Sequence, residues 1–488
     1  MFVLYLLILF GSVCYLWMKF VYSYWSRTKF PYLKPNIPFG NVSEAAMGKK
    51  SMGINLYELH KSSNEPIIGI YLLFRPALLV RDADLAKDML TTDFANFYDR
   101  GIYHNPEDPV ASHMLMLPGQ EWKQIRSKLT PTFTSGKLKG MMPAILNIAE
   151  ILKQKLLPSS QKGEIVEMRD LLMRFSLDVI GTVGFGLDVN TLDDPNHSFR
   201  EIEKCVNNGE LINRIRLIGA FFCPKILEVL HMSSLPKEFK EFMMNIVQKT
   251  MEFREKNQVQ QKDFIQLLME LRKPGKLNDN DGTDTIPNDK HSKQDGLTIE
   301  QCAAQVALFY LAGFDTTSSA VSFCLFELSR QPDLMTRAQC EIDDIMNKYN
   351  NTITYESLNE MPFLDACVRE SVGKYPVFPF LNGMCTKDYK IPNMDLTITN
   401  ETPIIISLLG IMRDPKNFPH PEQFLPDRYD EKDPKYNPTA FIPFGDYYCY
   451  SAGIRMGKMV AKIALIFLLH NYSFICTENR ELEFDIIL

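Results

Sequence analysis

The apolar positions form one long unbroken run, one pair of short runs, and then a succession of stripes at three- and four-residue spacing. The unbroken run opens the chain: Met1 to Met18 carry no charge, and the apolar character continues to Trp25. That is long enough to cross a bilayer as a helix. Basic residues follow it at Lys19, Arg27, Lys29 and Lys34, none precedes it, and no small-residue cleavage site closes it. The pattern predicts a retained anchor over 1–25 rather than a signal peptide, with the body on the cytosolic face. Residues 26–40 contain Pro31, Pro35 and Pro38. Prolines so close together exclude a helix and predict a stiff, extended spacer before a folded body over 41–488.

Inside the body, the two short apolar runs at about 66–81, broken at Arg75-Pro76, predict strands. From Asp82 onward the period is helical. One predicted helix carries Trp122 and Arg126 four residues apart on one face. Long amphipathic segments follow at about 137–157, 164–185 and 236–272. Residues 273–296 are polar and predict a mobile surface loop. Thr298 with Gln301 forms a capping box. It opens a helix running to about Arg330, some ~45 Å long, which must cross the whole body. A further helix is expected at about 356–374, then short strand-like pieces and Pro-rich coil through 413–444. Together these predict a mainly α fold with a small β part and no internal repeat.

Composition removes some alternatives. The chain has 488 residues, 45% of them apolar, so it can bury a large core. A net charge of −6 gives no reason to expect a nucleic-acid partner. Ten cysteines without a CxxC pair point to reduced thiols rather than a disulfide framework. The acceptor patterns at Asn41, Asn196 and Asn400 stay bare in a cytosolic body. Gly184-Phe185-Gly186 follows a helical pattern instead of a strand, so no nucleotide site is predicted on this chain.

Two stretches carry chemistry. Ala312-Gly313-Phe314-Asp315-Thr316-Thr317 puts a glycine, an acid and two hydroxyls in mid-helix, each at a local cost. One reading is close packing against a neighbour. The other is a groove, where Gly313 admits something close to the backbone and Asp315 and Thr316 manage protons. The second stretch runs from Phe441 to Gly457, a loop feeding an apolar helix. Cys449 lies just before that helix, where a cysteine readily becomes a metal-binding thiolate.

In this order the segments resemble the cytochrome P-450 family of haem-thiolate monooxygenases, and more narrowly its microsomal, xenobiotic-metabolising insect branch. The resemblance covers nearly the whole chain. It rests on the anchor and proline hinge, Phe97-Tyr98-Asp99-Arg100-Gly101, Gly119-Gln120-Glu121-Trp122 through Arg126, and Leu129-Thr130-Pro131-Thr132-Phe133-Thr134-Ser135-Gly136. It continues through Ala312–Thr317, Cys385-Thr386-Lys387-Asp388-Tyr389 and Phe424-Leu425-Pro426-Asp427-Arg428-Tyr429. The resemblance implies the cytochrome P-450 fold and a haem whose propionate is held by Trp122 and Arg126. It implies proton delivery by Asp315 and Thr316 and a structural pair of Glu370 with Arg428. It further implies electrons from a separate NADPH-dependent flavoprotein reductase, small hydrophobic substrates, and attachment to the endoplasmic reticulum membrane.

The chain departs from that pattern at identifiable positions. Pro443-Phe444-Gly445 and Gly453-Ile454-Arg455-Met456-Gly457 both match in register, which puts Ser451 at the position of the family's ligand cysteine. Cys449 stands two residues earlier, as the fallback ligand. The arginine three residues after Glu370 is Gly373, and the usual propionate-binding arginine of the next strand is Gly383. The family's closing hairpin is shortened, with the chain ending at Leu488. A serine hydroxyl is too basic to replace a thiolate, which donates the electron density that drives O–O cleavage. Two expectations follow: the family's NADPH- and O2-dependent monooxygenation, or a catalytically impaired pseudoenzyme of the same fold that binds haem poorly.

Overall fold

The computed structural model describes residues 2–207, 210–273, 296–430, 432–445 and 452–477. Most of the polar stretch at 273–296 therefore lies outside the described residues, as do Cys449 and Ser451. The opening helix, Phe2–Val21, has no buried residue and is long and apolar enough to cross a membrane. Burial begins just after it. Tyr22 and Trp25 pack into the body, and the Trp25 indole Nε1 donates to the Ile70 carbonyl at 2.9 Å. Its ring lies so close to Gly69 that a Cβ there would sit 2.6 Å from it.

The two apolar runs form β1 (Ile67–Leu72) and β2 (Arg75–Val80), an antiparallel hairpin in which Leu72 faces Arg75. Four short strands come from late in the chain: β3 (Leu381–Met384), β4 (Tyr389–Lys390), β5 (Thr397–Ile398) and β6 (Pro403–Ile406). One sheet has the order β1-β2-β6-β3, with β2 and β6 parallel and the other pairs antiparallel. β4 and β5 form a separate pair. The proline-rich stretch runs along β1: Leu33 donates to the Gly69 carbonyl at 3.0 Å and Gly69 to that of Pro31 at 2.7 Å. On the opposite side Met384 donates to the Asp99 carbonyl at 2.7 Å.

Helices make up the rest. The longest, Ile299–Ser329, opens on the expected capping box, with Gln301 N–H on Thr298 Oγ1 at 3.2 Å and Thr298 N–H on Gln301 Oε1 at 3.0 Å. It packs against helices Met168–Ile180, Lys237–Asn257, Pro362–Lys374 and Ile454–Asn471. Its two halves enter different parts of the core. Tyr310 and Phe314 join Met243 and Val247, while Val321 and Leu328 join Met459 and Ile463.

Several amphipathic stretches prove to be two elements. The 236–272 stretch is divided into Lys237–Asn257 and Phe264–Leu271. Gln258 turns left-handed at φ 54°, and Asp263 caps the new start by accepting from Gln266 N–H at 2.9 Å. The 356–374 stretch is Tyr355–Asn359 plus Pro362–Lys374. Pro362 has no N–H to give a continuing helix and fits the first position of a new one. Gly184-Phe185-Gly186 ends a π turn, Gly181–Phe185, that follows helix Met168–Ile180. Further helices, among them Ser198–Asn207, Leu211–Phe222, Pro224–Val229 and Pro332–Lys348, add to those anticipated from periodicity.

Candidate functional site

One face of the long helix lines a cavity of about 440 Å³. Gln305, Leu308, Phe309, Ala312, Gly313 and Thr316 lie along that wall. Thr316 is held in place by its own helix, its Oγ1 donating to the Ala312 carbonyl at 2.6 Å. Asp315, the next residue back, is half-buried and lies off the lining wall. The long helix thus brings Thr316 to the cavity and leaves Asp315 beside it. Gly313 serves both readings made from the sequence. It lies on the wall, and a Cβ there would come within 2.0 Å of Ile180 Cδ1 on the neighbouring helix.

A cationic edge comes from two other segments. Helix Gly119–Leu129 buries Trp122 and puts Arg126, one turn later, on the cavity wall. Arg100 also lines the cavity, its guanidinium 5.8 Å from the centre of the Trp122 ring. Asp99 next to it accepts from Gly119 N–H at 2.5 Å, tying the Arg100 turn to the start of the helix. Arg100 was not singled out from the sequence. Its signal was the Phe97–Gly101 motif, which showed a matching segment without showing where the guanidinium goes.

Both flanks of the late loop also line the cavity: Pro443, Phe444 and Gly445 before it, Ala452, Gly453 and Gly457 after it. Helix Ile454–Asn471 passes close to the long helix, with the Gly457 side-chain position 3.9 Å from Thr317 Oγ1. Ser451 and Cys449 lie between these flanks, outside the described residues.

Glu370 and Arg428 are both buried and paired, with Arg428 Nε 3.0 Å from Glu370 Oε2. Glu370 also accepts from Leu425 N–H at 2.9 Å, and Arg428 spends its other donors on the carbonyls of Pro419 at 2.8 Å and His420 at 3.2 Å. Burial pushes the Glu370 carboxyl up, against the pull of Arg428. The two glycines nearby differ in surroundings. A Cβ at Gly373 would meet the Tyr429 Oη at 2.9 Å and Phe441 at 3.6 Å. The Arg369 guanidinium, from the preceding turn, lies 5.1 Å from the Tyr429 ring centre and 5.3 Å from that of Phe441. At Gly383, in β3, a Cβ would make only ordinary contacts, 3.8 Å to Ile404 and 4.0 Å to the Asp99 carbonyl.

Comparison with known proteins identifies the family. The family model described as Cytochrome P450 matches residues 31–486. The chain is similar to probable cytochrome P450 6d5 of Drosophila melanogaster, at 39% identity over 99% of this chain and 96% of the relative. It is also similar to cytochrome P450 6d1 of Musca domestica, at 36% identity over 97% of this chain and 94% of the relative. Cytochrome P450 6k1 of Blattella germanica matches at 36% identity over 94% and 88% of the two chains.

Proposed function

The chain belongs to the cytochrome P450 family, and from that premise we propose that it is a membrane-attached P450-type protein that binds small hydrophobic molecules and is impaired in the family's monooxygenation. The observation that carries the first half is the single cavity joining Thr316 on the long helix to both flanks of the late loop. Apart from the cationic edge its wall is mainly apolar, which suits ligands that gain by leaving water.

The basic residues on the cavity wall fit the carboxylate edge of a porphyrin. Arg100 and Arg126, which line the cavity, would hold its carboxylates, with Trp122 buried against Arg100. Ala312, Gly313 and Thr316 would face one side of it and Phe444, Gly445 and Ala452 the other. They do not fit a thiolate-ligated iron, because two flanks in register assign the ligand position to Ser451. Haem iron, when bound, supplies the family's oxidation chemistry; no step of it is assigned to this chain. Thr316 is proposed as the hydroxyl that passes protons into the cavity, with Asp315 as the adjacent source. The reading includes Cys449 as a bystander, a separate NADPH-dependent reductase as electron partner, and the endoplasmic reticulum membrane as location.

The test is the reduced carbon-monoxide difference spectrum of the full chain in membranes. The unmodified protein should give no thiolate-type band. Ser451→Cys together with Gly383→Arg should restore part of it, since the space at Gly383 admits a side chain. A thiolate-type band from the unmodified protein would overturn the impairment and make Cys449 the ligand.

A further inference from the structure

Gln305 is 2% exposed, lies two turns before Gly313, and belongs to the cavity wall. A carboxamide has one acceptor oxygen and two N–H donors to satisfy. Here Met114 donates its backbone N–H to Gln305 Oε1 at 3.1 Å. That contact fixes which way the amide points, because an N–H requires the oxygen and turns Nε2 away from it. Nε2 has no hydrogen-bond partner among the described residues and is not one of the fully sealed unpartnered atoms, so it opens onto the cavity that Gln305 lines. The cavity wall it belongs to is mainly apolar, and includes Ile102, Met114, Leu217, Leu308 and Phe380. A donor that opens onto a mainly apolar cavity loses its water when a ligand enters, which is costly unless the ligand accepts from it.

We propose that Gln305 is the polar anchor of the ligand site, donating from Nε2 to a neutral carbonyl on an otherwise apolar ligand. The inference rests on the reading of this cavity as a pocket for small hydrophobic molecules. The helix rise sets a dimension. Gln305 and Thr316 are eleven residues apart on one continuous helix, about 16 Å along the axis. A ligand held by its carbonyl at Gln305 therefore presents its opposite, apolar end toward Thr316. The site selects elongated molecules with the acceptor at one end, and disfavours hydrocarbons of the same shape.

The experiment compares 4-acetylbiphenyl with 4-isopropylbiphenyl by titration calorimetry on the full chain in detergent. Both probes are measured against the wild type and Gln305→Met. Partition into detergent is common to both proteins and cancels. The ketone should bind the wild type about tenfold more tightly than it binds the variant, the loss of roughly one hydrogen bond in an apolar site. The hydrocarbon should differ less than about twofold. Equal losses for both probes, or none for the ketone, overturn the anchor while leaving the pocket intact. If neither probe binds either protein, the pocket reading falls and the anchor with it. Because Gln305→Met also removes the tie to Met114, a second measurement uses the wild type alone. The infrared stretch of bound, isotope-labelled carbonyl should lie below its position in hexane, and a band at the hexane position overturns the proposal.

Discussion

At position 373 a new side chain meets the Tyr429 hydroxyl, whereas at 383 it meets only ordinary neighbours. The Tyr429 hydroxyl is itself buried without a hydrogen-bond partner among the described residues. Tyr429→Phe should therefore be neutral or stabilising by about 1 kcal/mol in urea unfolding. Gly373→Arg alone should destabilise, and the double replacement should lose less than the sum of the two, a coupling of about 0.5–3 kcal/mol. Strict additivity would show that the two sites do not share the space. His113 makes a different prediction. It is 2% exposed, and burial first, with Arg100 second, holds its pKa down to about 4, against an ordinary 6.5. Between those values the unfolded chain takes up a proton that the folded chain refuses. Its contribution is complete above pH 6.5 and is lost as the pH falls toward 4. The loss between pH 7 and pH 5 is about 2 kcal/mol. Unfolding free energies of wild type and His113→Asn at the two pH values should show a slope that the variant largely lacks. His60, also held down to about 4, contributes equally to both proteins and cancels in that comparison.

The elements differ in how much of them could be read from the sequence, and the difference is one of range. The start of the long helix was legible because Thr298 and Gln301 satisfy each other's backbone within three residues. Removing that reciprocal cap with Thr298→Ala should cost about 1 kcal/mol in thermal or urea unfolding. The breaks at Asp263 and Pro362 are just as local, but they sit inside stretches whose apolar stripes continue on both sides. The period therefore conceals the boundary. The site is harder still. Arg126 follows Trp122 by one helical turn and could be paired with it from spacing alone. Arg100 and Gln305 reach the cavity only through the fold, and an isolated glutamine in a helix reads simply as a polar face. The Glu370–Arg428 pair spans two elements and was available only through resemblance. Truncating one member leaves the other buried without its counter-charge. Arg428→Ala should thus cost about 3–5 kcal/mol, measured as the fall in unfolding free energy or as loss of soluble folded protein.

For the whole molecule, the boundary between the exposed N-terminal helix and the body falls at Tyr22. The helix before it has no fully buried residue, while Trp25 is 2% exposed and bonded to Ile70. Deleting residues 2–19 should release the protein from membranes with the body still folded, read by fractionation and circular dichroism. Deleting residues 2–30 should destabilise the body by at least about 3 kcal/mol, the scale of losing one buried tryptophan. If both truncations unfold at the same denaturant concentration, Trp25 is not part of the folded unit. The proline-rich segment has a further consequence. By occupying Gly69 with Pro31 and Leu33, it covers one margin of the sheet, as the Asp99 carbonyl covers Met384 at the other. An open strand margin is a template for pairing with a second chain. Proteins tethered to one membrane face meet at high local concentration and in similar orientation, the condition under which such pairing is most probable. With the N-terminal helix in a membrane, the segment that follows it would also keep neighbouring copies from joining strand to strand.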